Sequence, residues 1–221
     1  MTHHEDQEND APTRPIRLND KAPVFAARTT MGVRCLSDYW GKWLILFSHP
    51  ADFTPVCTSE FIALEKAADR FRDLDCELLG LSADSIYAHL AWIQNIEERF
   101  GVQISFPIIE DLSLAVAEAY GMIDAFSTST STIRSAFFID PEGIVRALIH
   151  YPMSVGRSVD EMLRVLAALQ ATSQGDLATP EGWQPGDKLL QVPPTTVEAL
   201  RSRVPQATGN GRDWYYVESS K

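Results

Sequence analysis

Trp43–Glu60, WLILFSHPADFTPVCTSE, joins a continuous apolar run to a short loop and then to a helix start. Trp43 to Phe47 has the length and composition of a buried strand. Thr54 is a candidate N-cap and Pro55 suits the first helical position, so Cys57 falls within the first turn. It faces backbone N–H groups without intrahelical partners and the positive end of the helix dipole. A thiol so placed, and more so beside an arginine, is biased towards the thiolate, which is the nucleophilic form. A lone cysteine in a helix is by default a small buried hydrophobe. The helix start around Cys57 argues against that default.

The neighbouring segments turn this stretch into a βαβ unit. The pattern predicts a helix from Pro55 to about Arg72, with Phe61, Leu64, Ala68 and Phe71 on its packing face, and a second apolar strand over Glu77 to Leu81. Cys57 then lies at the carboxyl end of a strand, the edge where open α/β sheets place their chemistry. Asp84 is a plausible N-cap for a helix over Ser85 to Phe100, whose apolar positions include Ile86, Leu90 and Ile93. Asp111 can cap the start of a further helix over Leu112 to Tyr120, and Gly121 can close it. Ala136–Ile139 and Ile144–Ile149 flank Asp140-Pro141-Glu142-Gly143, a turn sequence that predicts a hairpin. Ser158-Val159-Asp160-Glu161 is a capping box, and Met162, Val165, Leu166 and Leu169 form the stripe of the helix that follows.

From about Gly175 the texture changes to prolines, glycines and turn residues, among them Pro180, Gly182, Pro185, Gly186, Pro193 and Pro194. A helix is expected around Thr196 to Arg203, and Trp214, Tyr215 and Tyr216 are too apolar for a freely solvated tail. The domain organisation expected is a disordered arm over 1–15, an α/β domain over 16–175 and an extension over 176–221.

Composition bounds the function classes. The chain has 221 residues, of which 45% are hydrophobic, enough for a substantial core. Its net charge of −11 opposes a general affinity for nucleic acid or anionic lipid surfaces. No apolar run approaches the roughly 20 residues of a membrane helix, and Met1 to Arg14 lacks the basic and apolar regions of a secretory signal. Cys35, Cys57 and Cys76 are an odd count without a C-x-x-C pair, which suits a reducing compartment, the cytoplasm, better than a disulfide framework. His49, His89 and His150 lie apart along the chain without zinc-site spacing, so neither a metal nor a cofactor is expected.

The spacing Pro50-x-x-x-Thr54-x-x-Cys57 resembles the peroxiredoxins, thiol peroxidases that reduce hydroperoxides through a cysteine sulfenic acid. The wider string SHPADFTPVCTSE is similar to their one-cysteine subfamily, and the likeness continues through RSAFFIDPEG, YPMSVGR and WQPGD. It implies a thioredoxin-like α/β fold with a C-terminal dimerisation extension, a homodimer or larger ring, and reduction of hydrogen peroxide and alkyl hydroperoxides. It also implies that Arg134 is the arginine that holds the thiolate and the peroxide oxygens. Backbone N–H groups at the helix start, the Thr54 hydroxyl and this guanidinium would be donors to the charge developing on the departing oxygen. Pro50 would wall the pocket, although a proline there can also be a simple strand terminator. Glu60 could orient an arginine by a bidentate pair, with Arg157 the second arginine in a family-like position. His49 could tune the thiolate or serve as a local hydrogen-bond partner.

The chain has no cysteine after Cys76, where two-cysteine relatives carry a resolving thiol, so reduction by an external thiol is expected. Cys35 and Cys76 stay open as internal resolvers, subject to the Cα separation of about 7 Å that a disulfide tolerates. Animal members of the subfamily act as phospholipases through a serine in a glycine-flanked motif, but the matching Tyr39–Trp43 contains no serine. Gly80-Leu81-Ser82-Ala83-Asp84 lacks the final glycine of a nucleophile elbow. A non-enzymatic holdase is the remaining alternative, though no long apolar tract calls for it.

Overall fold

A computed structural model describes residues 14–123, 128–173 and 175–219, with 204–212 described at the backbone level. Most of the arm expected over 1–15 therefore lies outside the described residues. The described residues form two compact units divided between Val159 and Asp160.

The first unit is built on a seven-stranded mixed sheet. Its strands are β1 (Ala26–Thr29), β2 (Gly32–Cys35), β3 (Trp43–Ser48), β4 (Cys76–Ser82), β5 (Ile108–Glu110), β6 (Arg134–Ile139) and β7 (Val145–Tyr151). Spatial order is β2-β1-β5-β4-β3-β6-β7. The central pairs β3/β4 and β4/β5 are parallel, as crossover helices require, and β3/β6 and β6/β7 are antiparallel. Every residue of β3 and of β6 is buried, which explains why β3 reads as a continuous apolar run. The hairpin expected at Asp140–Gly143 joins β6 to β7. The Asp140 carboxylate accepts from the Glu142 and Ile144 N–H groups, and Gly143 takes φ +78°.

The helices differ in detail from their sequence signals. The segment after Cys57 is two helices, α1 (Pro55–Lys66) and α2 (Ala68–Asp73), with the break at Ala67, yet Phe61, Leu64, Ala68 and Phe71 all face the core as expected. The N-cap of α3 (Ile86–Phe100) is Ser85, whose hydroxyl accepts from the Ala88 N–H. Asp84 is not the cap: its carboxylate accepts from the Ser82 hydroxyl and the Asp52 N–H instead. The buried face of α3 is Ile86, His89, Trp92 and Ile96, while Leu90 points to solvent at 47% exposure. A polar residue thus occupies the position where periodicity places an apolar one. The helix α4 (Ala115–Ala119) is shorter than the expected Leu112–Tyr120, because Leu114 is in the left-handed region at φ +61°. Asp111 still accepts from its first turn, at the N–H groups of Val116 and Ala117.

The second unit begins within α5 (Val159–Ala171), whose buried residues are Met162, Leu163, Leu166 and Ala167, a face rotated from the expected one that included Val165 and Leu169. A four-stranded sheet follows that sequence texture did not reveal. It consists of β8 (Leu177–Ala178), β9 (Leu189–Gln191), β10 (Gly211–Asp213) and β11 (Tyr216–Ser219) in the order β10-β11-β9-β8. Within this unit α6 (Val197–Asn210) extends the expected helix, and Trp183 is buried with its indole N–H donated to the Asp187 carbonyl. Among the described residues no helix is long and apolar enough to cross a membrane.

Candidate active site

Cys57 is fully buried in the first turn of α1, directly after the carboxyl end of β3. Thr54 occupies the N-cap with extended backbone, φ −103° and ψ 147°, but its side chain does not cap. The hydroxyl donates to the Ala51 carbonyl at 2.9 Å, which corrects the expectation of a free donor. With its proton so engaged, Thr54 Oγ offers acceptor lone pairs. Pro50 is buried at the root of the same loop, and Phe53 is held in the left-handed region at φ +55° with its side chain 57% exposed.

Two arginines from distant parts of the chain meet Glu60 beside the sulfur, and one of them reaches the sulfur itself. Arg134, the first residue of β6, donates through Nη1 to Cys57 Sγ at 3.3 Å and to Glu60 Oε2 at 2.8 Å. Its Nε donates to the Met153 carbonyl at 2.9 Å, which fixes the plane of the guanidinium. Arg157 makes the bidentate pair with Glu60, Nε to Oε1 and Nη2 to Oε2, both at 2.9 Å. The Arg157 backbone N–H also donates to Oε1 at 2.7 Å, and its Nη1 donates to the Ser135 carbonyl at 2.6 Å. The guanidinium lies over the Phe47 ring, 5.3 Å from its centre.

Glu60, one helical turn after Cys57, is 4% exposed. Burial by itself would raise its pKa, but the hydrogen bonds and charge of Arg157, with the charge of Arg134, hold the carboxyl below its ordinary range. The constellation therefore contains two guanidiniums, one carboxylate and a thiol whose ionised form completes neutrality. Gly156 lets the arginine-bearing loop approach: a Cβ there would stand 3.3 Å from Val56 Cγ1. Sequence reasoning missed this glycine, and a Gly between two loop residues gives no local signal for a close tertiary contact.

His49 is brought to a different set of partners. Its Nε2 bonds Asp52 Oδ1 at 2.8 Å, and Asp52 Oδ2 bonds His89 Nδ1 at 2.7 Å. Burial lowers the pKa of His49, against the opposing pull of Asp52. For Asp52, burial acts upward but the two imidazole bonds outweigh it, so its carboxyl titrates below the ordinary range. The three ligand-type atoms lie within 4.8 Å of one another, a cluster that the chain separation of these residues concealed. The 2.7 and 2.8 Å separations are hydrogen-bond lengths, and both imidazoles and the carboxylate side chain are almost completely buried.

Cys76 begins β4 opposite Trp43, the first residue of β3, whereas Leu81 stands opposite Ser48. Five strand steps of ~3.3 Å place it roughly 17 Å from the end of the sheet that leads to Cys57. Burial pushes its thiol pKa strongly upward. Cys35 ends β2, an edge strand four positions from β3, or roughly 19 Å at about 4.8 Å per strand.

Comparison with known proteins finds relatives along most of the chain. A family model described as AhpC/TSA family matches residues 18–148, and one described as C-terminal domain of 1-Cys peroxiredoxin matches residues 168–206. The chain is 46% identical over 201 residues to Peroxiredoxin 2 of Picrophilus torridus, covering 91% of this chain and 98% of that protein. It is 50% identical over 186 residues to Peroxiredoxin 2 of Thermoplasma acidophilum, covering 84% and 92%. Among solved structures it resembles a yeast mitochondrial 1-Cys peroxiredoxin studied for thiol resolution via glutathione and thioredoxin systems. The TM-score is 0.81 and the identity 38%, with 92% of this chain and 100% of that one covered. The mixed sheet and its helices are accordingly of the thioredoxin-like α/β class.

Proposed function

The chain belongs to the peroxiredoxins, the thiol-dependent peroxidases of the AhpC/TSA family, and on that premise we propose that Cys57 is the nucleophile of a one-cysteine cycle. The observation that carries this reading is the Arg134 guanidinium 3.3 Å from the Cys57 sulfur at a helix N-terminus. The thiolate attacks the terminal oxygen of a hydroperoxide. An S–O bond forms, the O–O bond breaks, and sulfur loses two electrons to become a sulfenic acid. The departing oxygen leaves as hydroxide or alkoxide and takes a proton to give water or an alcohol. Arg134 and the first-turn N–H groups stabilise the charge on that oxygen. Thr54 Oγ, its own proton held by Ala51, accepts a hydrogen bond from the peroxide O–H, and Pro50 limits water at the pocket. Glu60 and Arg157 act through Arg134 by fixing its position.

External thiol reduces the sulfenic acid in this cycle, first forming a mixed disulfide with loss of water and then exchanging with a second thiol. Cys76 stands roughly 17 Å along the sheet from the end that leads to Cys57, and Cys35 roughly 19 Å across the sheet from β3, and these placements, set against the ~7 Å limit for bridging, favour this over internal resolution. The match to a C-terminal domain of 1-Cys peroxiredoxin, together with Trp214 and Tyr215 at 37% and 57% exposure, favours a homodimer that uses the 176–221 extension. Three free cysteines suit a reducing compartment such as the cytoplasm.

The test is intact-protein mass spectrometry after one equivalent of hydrogen peroxide, with and without a thiol-reactive trap. A single oxygen on the Cys57 peptide supports the reading, and peroxidase turnover should vanish in Cys57→Ser but persist in Cys35→Ser and Cys76→Ser. A Cys57 disulfide with Cys35 or Cys76 would replace it with internal resolution. Light scattering at micromolar concentration tests the assembly, which a monodisperse monomer would refute.

A further inference from the structure

The buried polar line His49, Asp52, His89 is hydrogen-bonded separately from the Cys57–Arg134–Glu60–Arg157 network, and it contains one polar atom without a partner, His49 Nδ1. His49 follows the end of β3, Asp52 lies on the loop before α1, His89 is on α3, and the line ends at the Ile109 carbonyl of β5, 3.2 Å from His89 Nε2. The His49 ring is enclosed by Trp92, stacked with centroids 5.2 Å apart, and by the edge-on Phe61 ring at 4.8 Å.

Counting protons along this line restricts its state. The Ile109 carbonyl can only accept, so His89 Nε2 must carry a proton to make that contact. The 2.7 Å contact between His89 Nδ1 and Asp52 Oδ2 needs a proton as well. An ionised Asp52 beside a neutral His89 supplies one proton for these two places. The pair must therefore hold one more, either as carboxylate with imidazolium or as carboxylic acid with imidazole. Both forms are neutral overall, which a dry interior favours over a lone charge. In both, Oδ1 remains an acceptor, so His49 must present Nε2–H to it. His49 Nδ1 is then a bare lone pair, in agreement with its having no donor partner.

We propose that Asp52 and His89 are positioning residues that share one extra proton and act through His49, holding its ring as the Nε2–H tautomer with Nδ1 a free acceptor at the root of the Pro50–Thr54 loop. The same aspartate anchors the loop through its backbone, whose N–H donates to Asp84 Oδ2 at 3.0 Å. Only the kinetic part of this inference rests on the peroxidase reading.

The experiment is long-range proton–nitrogen NMR of the full chain labelled with ¹⁵N at histidine. His49 should show a protonated Nε2 and a bare Nδ1, and His89 a protonated Nε2. A His49 Nδ1–H tautomer or a bare His89 Nε2 overturns the proposal, as does displacement of these signals by equimolar Zn²⁺, which would make the cluster a metal site. Asp52→Ala should mix the His49 tautomers and slow peroxide consumption at least about tenfold, the scale of a misplaced reacting group. Asp52→Asn can accept from His49 through its amide oxygen and donate to His89 through its amide nitrogen, so it should restore the single tautomer and most of the rate lost in Asp52→Ala. Mixed tautomers in Asp52→Asn overturn the proposal even where Asp52→Ala does not fold. Wild-type protein with the expected tautomers and no peroxidase activity would refute the peroxidase reading and leave the proton-sharing pair standing.

Discussion

Replacing Glu60 by glutamine tests the charge balance of the sulfur site. The carboxylate accepts four hydrogen bonds, one from Arg134 and three from Arg157. In Glu60→Gln one oxygen becomes an NH₂ group, so the contacts it received become donor against donor, and two buried guanidiniums face a single thiolate. Breaking a buried ion pair from one side costs about 3–5 kcal/mol, because the remaining charge loses its compensation. At roughly 2–4 °C per kcal/mol for a chain of this size, the melting temperature should fall by roughly 6–20 °C. Thermal unfolding followed by circular dichroism under reducing conditions measures this. The kinetic consequence is separate. With its Glu60 contact impaired, Arg134 has, besides the sulfur itself, its Nε bond to the Met153 carbonyl as an anchor, so the guanidinium loses its aim at the sulfur and peroxide consumption should slow roughly ten- to a hundredfold. A variant that melts within about 2 °C of wild type, less than the shift from 1 kcal/mol, and consumes peroxide at the wild-type rate would refute the argument that Glu60 organises the site.

Arg134→Ala should lower the rate with hydrogen peroxide by roughly 10²–10³-fold, the loss measured for a single donor at an oxyanion site; full activity in a folded Arg134→Ala protein would remove Arg134 from the chemistry. Acid should destabilise the wild-type fold in two steps that urea unfolding can resolve. His49 has a lowered native pKa, so stability declines as pH falls below about 6.5, where the unfolded imidazole takes a proton that the native one refuses. Glu60 and Asp52 also titrate below their ordinary range, so their contribution is complete above about pH 4.3 and is lost as pH falls through their native values; flat stability from pH 7 to about 4.3 would contradict the His49 shift, and stability that stays flat on further acidification would contradict the carboxylate shifts. On the one-cysteine reading proposed above, excess peroxide without thiol should add two and three oxygens to the Cys57 peptide and inactivate the enzyme, because the sulfenic acid then waits for an external thiol. Early addition of a small thiol should prevent this, and full activity after prolonged excess peroxide would argue for internal resolution.

The parts of the fold that were legible in the sequence are those set by local chemistry. The apolar run over β3, the proline that opens α1 and the turn at Asp140–Gly143 each carry a short-range signal, and each element forms where that signal lies. The signals failed where a competing contact was within reach. Thr54 has the side chain of an N-cap, but the Ala51 carbonyl takes its proton. Asp84 is drawn to the Ser82 hydroxyl and the Asp52 N–H, which leaves Ser85 to cap α3. The four-stranded sheet near the C-terminus was hidden because its strands are two to four residues long, too short for alternation to emerge from a proline- and glycine-rich background.

The candidate site divides in the same way, with a consequence for how its residues can change. Cys57 and Glu60 share one helix and could be placed from spacing, whereas Arg134 and Arg157 reach Glu60 across 74 and 97 residues of chain. Only the family resemblance joined them beforehand. His89 was read as one of several scattered histidines because periodicity treats it as a polar interruption of α3. In the fold it occupies the buried face, with a carboxylate and a carbonyl as partners. As proposed, both clusters approach zero net charge by a different route: two guanidiniums against a carboxylate and a thiolate at the sulfur, and one shared proton between acid and imidazole in the second cluster. In a buried site such neutrality belongs to the set and not to any member. Loss of one partner strands a charge, so Arg134, Glu60 and Arg157 should show strongly non-additive effects in double-mutant cycles.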